Sequence, residues 1–451
     1  MAKQIIIKGT AVVAANEVLV ADSNSKIPAV DGSAVTAMAG GNIASGTIPT
    51  ARLDTGTTAN KLVVLGGSGL PAVDGSLLTG IVSHTTSASD PTVSTNPSGG
   101  VGSEWINSTS GKQFICTDAT AGANVWKCSG GGSGNVQPWY FQGLIAGYTY
   151  GGYNGPAART AGYDKHSFTS DGNSTDVGNM ATGNPGRSNW AGCSSETHGY
   201  QCAGYAAGTY SPNTADVIEK HGFVAEGNCV DVGDLVNGPK ITMSSTSFAT
   251  HGYCAGGYRA ANDPSGPASG YEHIERFPYA SDGNSVDCGD LLTIRDSACG
   301  HSDVGAGYGY SAGGHDGGYS NRIERYAHAS NAAGADVGDL TSVGPNRSAS
   351  CSETHGYLGG GYEGQNSDVI EKYAFGSSSN ATDVGNLLHW TQYSCGISST
   401  THGYNIGGGW SGAGGWSNYI MKFSFTTDGN ATDVGDLTVA IGSMGRCGTQ
   451  Y

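Results

Sequence analysis

The feature that most constrains this chain is a sixfold internal repeat. The motif Asp-Val/Cys-Gly-Asp/Asn starts at Asp176, Asp231, Asp287, Asp336, Asp383 and Asp433, with separations, by subtraction, of 55, 56, 49, 47 and 50 residues. A period of that length implies one supersecondary unit that hides its apolar face only by stacking on copies of itself. The clearest unit runs from Asn346-Arg347 through Thr354-His355-Gly356-Tyr357, Gly360-Gly361-Tyr362 and Val369-Ile370-Glu371-Lys372-Tyr373 to Asp383-Val384-Gly385.

Strand chemistry divides the unit into four. Ser348 to Glu353 reads as a first strand and Thr354-His355-Gly356 as a turn, with Tyr357 opening a second strand that ends at glycines, where backbones approach closely. A variable loop follows. The third strand, Val-Ile-Glu-Lys-Tyr, alternates apolar and polar residues, as a half-buried strand must; its counterparts are Ile218 to Phe223, Ile274 to Tyr279, Ile323 to His328 and Ile420 to Phe425. Asp-Gly-Asn, at Asp171, Asp282 and Asp428, is the hairpin turn to a fourth strand. Composition agrees with a mostly β chain: Gly is 76 of 451 residues, and charged residues are 13 %, about half the usual share.

From Trp139 to Tyr451 this order resembles the kelch repeat. A basic residue opens the first strand, Gly-Gly-Tyr closes the second, and Ile-Glu-Lys/Arg-Tyr forms the third. The outer-strand Trp typical of that family is missing, and Asp-Val-Gly-Asp-Leu stands in its place. The resemblance implies a six-bladed kelch-like β-propeller over residues 135–451. Gly442 to Tyr451 resembles a first strand without a unit of its own, while Gly147-Tyr148 begins at a second strand, so the two ends are expected to share one blade.

The N-terminal third differs in kind. Ile27-Pro28-Ala29-Val30-Asp31-Gly32-Ser33 recurs as Leu70-Pro71-Ala72-Val73-Asp74-Gly75-Ser76, and these Gly- and Pro-punctuated segments resemble the shafts of phage tail fibres. Residues 1–84 are therefore expected to be an intertwined fibre and virion-attachment region. Glu104 to Asn107, Gln113 to Cys116 and Val125 to Lys127 read as a small β-meander, which with a Gly/Ser linker occupies 85–134. The resemblance implies a structural bacteriophage virion protein, a tail fibre or other appendage on the particle exterior. It would be a homotrimer anchored to other virion proteins through its N-terminus, with the propeller turned to host-surface glycan for attachment. A capsid or tail decoration without a receptor is the alternative, and a carbohydrate-active or oxidising propeller enzyme a third.

Charge and motifs exclude several classes. The net charge is −16 and no basic run tracks a phosphate backbone, so nucleic acid is not an expected partner. No apolar stretch approaches the roughly 18 residues of a membrane span. The eleven Cys form no CxxC pair, and Cys193, Cys299, Cys351, Cys395 and Cys447 are expected to be buried core residues, with Cys116 and Cys128 a candidate disulfide. No catalytic set, metal site or cofactor is expected. His198, His251, His355 and His402 recur in turns a whole unit apart, which suits a repeated hydrogen bond, to the Asp of a neighbouring Asp-Val-Gly-Asp, rather than one ion. Those motif carboxylates, Asp176, Asp231, Asp287, Asp336, Asp383 and Asp433, are expected to be structural too. The Asp-Gly-Asn-x-x-Asp turns lack the acidic positions of a calcium loop. Recognition is expected on the loops between second and third strands, where Tyr153, Tyr258, Arg259, His315, Tyr319, Tyr362, Trp410 and Trp416 supply rings and polar groups. The pair Trp410 and Trp416 is the leading candidate, because its Gly-rich surroundings leave little to bury it.

Overall fold

The computed structural model describes residues 84–129, 139–155, 158–181, 186–206, 214–259, 269–410 and 415–451. All of the expected shaft (1–84) but His84, and most of the linker, lie outside the described residues. Every regular element among those described is a β-strand.

The expected meander is present and gains a strand. His84–Ser87 runs parallel to Glu104–Asn107, which pairs antiparallel with Gln113–Asp118, which pairs with Val125–Ser129. Phe114, Cys116 and Trp126 form its small core, with Trp105 edge-on to Trp126 at 6.0 Å. Cys116 and Cys128 are not joined by a disulfide; the Cys116 thiol instead donates to the Asp118 carbonyl at 3.1 Å.

The repeats form six antiparallel sheets, numbered here in chain order by their second strands. Sheet 2 runs Ala191–Ser194, His198–Ala206, Thr214–Gly222, Val230–Asp234; sheet 3 Ser244–Ser247, His251–Ala255, His273–Pro278, Val286–Asp290; sheet 4 Cys299–Asp303, Tyr308–Ala312, Arg322–Ala327, Ala335–Asp339. Sheet 5 runs Ser348–Cys351, His355–Gly359, Ser367–Ala374, Thr382–Gln392, and sheet 6 Cys395–Ser398, His402–Ile406, Tyr419–Ser424, Thr432–Asp436. Sheet 1 mixes the two ends of the repeat region, as its missing first strand required. Thr449–Gln450 pairs with Ala146–Gly155 at Tyr148 and Gly147, followed by Ala158–Ser167 and Thr175–Asn179.

The Asp-Val-Gly-Asp motif is the joint between sheets. In every sheet it sits at a bulge between third and fourth strands, for example Ile218 opposite Gly233 but Glu219 opposite Asp231. The first Asp accepts the glycine N–H two residues on, at 3.1–3.2 Å, from Asp176 through Asp433. The bulge leaves room for the next sheet's turn: a Cβ on Gly233 would stand 2.3 Å from the Gly283 carbonyl oxygen, and one on Gly435 would stand 2.1 Å from that of Gly172. The motif's last residue accepts a backbone N–H from the next sheet at all six joints, with donors Cys229, Ser285, Gly334, Ala381, Ala431 and Ser174. The last donor belongs to sheet 1 and its acceptor, Asp436, to sheet 6, so the succession returns to its start.

The Glu of the third strand is a second tie. Glu219, Glu275, Glu324 and Glu371 are fully buried, and each faces a buried cation: Arg187 at 2.7 Å, Lys240 at 3.4 Å, Arg295 at 2.7 Å and Arg347 at 3.1 Å. They also accept from the segment that leaves the preceding sheet, as Glu219 does from Ala181 N at 3.0 Å and Glu324 from Leu292 N at 3.0 Å. Asp164 does the same in sheet 1, accepting Thr438 N at 2.9 Å. Sheet 6 has buried Met421 at this place.

The histidines expected in turns are instead the first residues of the second strands, and they are held differently from the expectation. His198, His251, His355 and His402 each bond through Nδ1 to the hydroxyl of the preceding Thr, at 2.7–2.9 Å, and not to an Asp of the next motif. The adjacent hydroxyl is fixed by chain connectivity, whereas the motif carboxylate is already occupied by its own glycine N–H. The five expected cysteines are buried; Cys447 lies just before the first strand of sheet 1, and the four on first strands sit at different registers: Cys193 lies opposite Tyr200, Cys299 opposite Ala312, Cys351 opposite Gly356 and Cys395 opposite Ile406.

The chain reaches the sheets at the turns between first and second strands. Gly143 N donates to the Ser398 carbonyl at 2.8 Å, Thr400 N donates to the Gly143 carbonyl at 3.2 Å, and Gln142 Nε2 donates to the Cys351 carbonyl at 3.0 Å. Phe141, 2 % exposed, packs into the core with Cys299, Tyr310, Tyr373 and Cys447. The loops that leave the second strands lie at the opposite ends of those strands.

Candidate functional site

At that opposite end, each second strand gives way to a loop and each first strand begins. The six first strands start from non-glycine residues in the left-handed region, Asn189, Thr242, Ser297, Asn346, Tyr393 and Ser443, with φ of 53–67°. They are stitched in sequence: Asn189 N donates to the Ser443 carbonyl, Thr242 N to Asn189, Ser297 N to Thr242, Asn346 N to Ser297 and Tyr393 N to Asn346. Such backbone strain persists only where its surroundings over-determine it. Beside this girdle lies Arg446, 2 % exposed, with Nη2 donating to Asn346 Oδ1 at 2.5 Å and its guanidinium 5.3 Å from the centre of the Tyr393 ring. Burial lowers its pKa, and neighbouring groups that include the Asp296 carboxylate oppose the shift.

Around the girdle the loop residues form two tracts. In the first, Tyr205 of sheet 2 stacks under the guanidinium of Arg159, 4.4 Å from ring centre; Arg159 reaches Tyr153 at 5.5 Å, and Tyr153 meets Trp416 edge-on at 5.7 Å. Tyr153 and Arg159 are cross-strand partners, and Arg159 Nε donates to Ser188 Oγ at 3.0 Å. Partial burial lowers the Arg159 pKa, and the guanidinium stays cationic because its reference value is so high. In the second tract, His315 lies edge-on to Tyr319 at 6.1 Å and Tyr319 edge-on to Tyr362 of sheet 5 at 6.1 Å. Tyr319 is 45 % exposed, its ring offered to solvent beside the Arg322–Asp316 pair at 3.0 Å.

The expected residues therefore separate. Tyr153 joins Trp416, and His315 joins Tyr319 and Tyr362. Tyr258 and Arg259 belong to neither tract: Tyr258 is tied to Ile241 by backbone bonds, and Arg259 lies 5.6 Å from the Tyr271 ring centre. Trp410 is placed by its backbone alone, pairing with Thr391 and Gly415; its side chain lies outside the described residues. Trp416 corrects the expectation of a freely displayed indole. It is half-buried, and its ring covers Gly442, where a Cβ would stand within 1.9 Å of it, so the glycines around it make a seat for the ring. Arg159 and Tyr271 were missed by the sequence reading.

Two clusters of ligand-type side chains converge among the described residues. His273 Nδ1 lies 3.1 Å from Asp290 and 3.3 Å from Asp287 on an outer edge, where the two carboxylates face solvent. Cys193, Cys202 and Cys254 converge in the interior. The carboxylates of the Asp-Gly-Asn turns are engaged by lysines of the preceding sheet: Asp282 by Lys220 at 2.5 Å, Asp428 by Lys372 at 2.6 Å and Asp171 by Lys422 at 2.8 Å. No protein-family model matches the chain, and no curated protein is similar to it.

Proposed function

We propose that the six sheets are the blades of a closed kelch-like β-propeller and that the chain is a structural appendage of a bacteriophage particle, with the propeller displayed outward to a host-surface glycan. The six motif joints, the last of them linking sheet 6 back to sheet 1, and the sheet shared by both ends of the repeat region support the closed ring. The functional reading rests on one observation above all: the chain arrives at the first-to-second-strand turns, through Phe141 to Gly143, while the aromatic tracts lie at the other ends of those strands. An N-terminal anchor on one face leaves the other free to meet a surface. Tyr faces suit the apolar faces of sugar rings, and Arg159, Arg322 and Asp316 suit their hydroxyls.

The resemblance of residues 1–84 to fibre shafts supplies the virion context and the expected trimer. Immunogold labelling of phage particles with antibody raised against the full chain tests it. Label at the distal ends of appendages is the expected result; label confined to the capsid shell would favour a decoration role, and particles without label would end the virion reading.

A further inference from the structure

The fold assembles three thiols that no sequence spacing announces. Cys193 lies on the first strand of sheet 2, Cys202 on its second strand and Cys254 on the second strand of sheet 3; all three are buried, and their Sγ atoms lie within 4.8 Å of one another. They occupy three different places in the repeat. Cys193 faces Tyr200 across its sheet, where sheets 3 to 6 place Thr246, His301, Ser350 and Ile397 opposite their own Tyr. Cys202 follows its Tyr by two residues, where Ala255 and Ala312 stand in sheets 3 and 4, and Cys254 follows by one, where sheet 4 has Ser311. Repetition of a single cysteine cannot produce that convergence.

We propose that Cys193, Cys202 and Cys254 form a three-sulfur site for one soft, monovalent d10 ion of the copper(I) class, which clasps sheets 2 and 3 together. Thiolates select such ions. A trigonal ion with metal–sulfur bonds of about 2.3 Å holds its sulfurs about 4.0 Å apart, inside the observed limit of 4.8 Å. A closed zinc site needs a fourth ligand, and among the described residues no further Cys, His or carboxylate belongs to the group. A buried cation, Lys240, adds a favourable field at Cys254 while pairing with Glu275. Lys240 is fully buried, its Nζ makes no hydrogen bond, and it stands 3.4 Å from Glu275 Oε1. On binding, the three sulfurs coordinate as thiolates, each thiol proton going to solvent, and no electron moves.

Because the sulfurs are buried, the ion enters during folding. The test is to unfold the full chain, refold it without oxygen in the presence of copper(I), desalt against a copper(I) chelator, and measure copper, thiolate-to-metal absorbance and melting temperature. The expected result is one retained copper per chain and a higher melting temperature than the metal-free protein. Cys202→Ala and Cys254→Ser, residues the repeat itself uses at these places, should fold as the metal-free protein does and retain none, while Cys351→Ser retains it. Wild-type copper no higher than in Cys202→Ala, an equal loss in Cys351→Ser, or a chain 2 Da light through a disulfide among the three would each overturn the site.

Discussion

Between neighbouring sheets the chain uses one contact six times, whereas at the far ends of the second strands the repeated Gly-Gly backbone bonds carry side chains that, among the described residues, differ from loop to loop. At the joints, five asparagines, Asn228, Asn284, Asn380, Asn430 and Asn173, accept a backbone N–H of the adjoining motif at 3.0–3.1 Å. The loops use a Tyr–Arg–Tyr–Trp series on one side and a His–Tyr–Tyr series on the other. A repeated residue is a packing solution that each sheet needs. A residue that departs from the repeat is free to answer to something outside the molecule.

Breaking the last joint should have the largest effect. Deleting Arg446 to Tyr451 removes the strand that completes sheet 1, together with Thr449, whose hydroxyl meets Tyr150 at 2.6 Å. Two sheet edges are left unpaired. The expected outcome is loss of the single cooperative transition in calorimetry, and an unchanged melting curve would show that closure contributes nothing.

Acid should act next, and on the regular part of the molecule. Burial holds His166, His221 and His301 at about 4 and His328 at about 3, against 6.5 when free. His301 shows why it stays neutral: Nε2 donates to the Tyr357 carbonyl and Nδ1 accepts from the Tyr373 hydroxyl, both at 2.9 Å. Below pH 6.5 the unfolded chain binds protons that the folded chain refuses, so stability is full above that pH and falls as pH drops toward 4. The slope approaches about 1.4 kcal/mol per pH unit for each histidine. Urea midpoints at pH 7 and pH 4.5 measure it, and His328→Phe, the residue at the matching place in sheet 5 (Phe375), should flatten the dependence by one proton.

The buried pairs come third. Glu324→Ala strands Arg295, itself fully buried and bonded at 2.7 Å, at a cost of about 3–5 kcal/mol by denaturant titration. Replacing both partners by Met should recover most of that loss, because sheet 6 already carries Met421 at this place. A double variant no better than the single would mean that the pair holds the crossing segment at Leu292 rather than balancing charge.

What could be read from the sequence follows the same division. Period-two alternation places the third strands of sheets 3, 4 and 6 to within a residue, helped in sheets 3 and 6 by Asp-Gly-Asn turns, and the unmatched segments at the two ends give the mixed sheet. Asp-Val-Gly-Asp is visible as a motif but not as a joint, because its partner is the turn of the next unit, about fifty residues away. Trp416 was misread for a related reason: its seat, Gly442, comes from a segment past the end of sheet 6 that no local pattern connects to it. The three thiols are still less legible, since each is an ordinary core residue where it stands.

The smallest expected effect on stability carries the largest expected effect on function. Tyr319 is 45 % exposed and touches its neighbours through ring edges at 6.1 Å, so Tyr319→Ala removes little buried area and should change stability by no more than about 0.5 kcal/mol. Rings in a recognition surface are nevertheless frequent energetic anchors. Under the proposed function, full-length protein with this substitution should compete for host-cell binding at least tenfold less well than wild type, an expected loss of about 1.4 kcal/mol. Trp416→Ala serves as the contrast, because its indole covers Gly442 and meets Tyr153, and its loss should lower the melting temperature as well as any binding. If Tyr319→Ala competes as well as wild type while Trp416→Ala loses both properties, the second tract is not the contact surface, and recognition moves to the Tyr205–Arg159–Tyr153 side of the face.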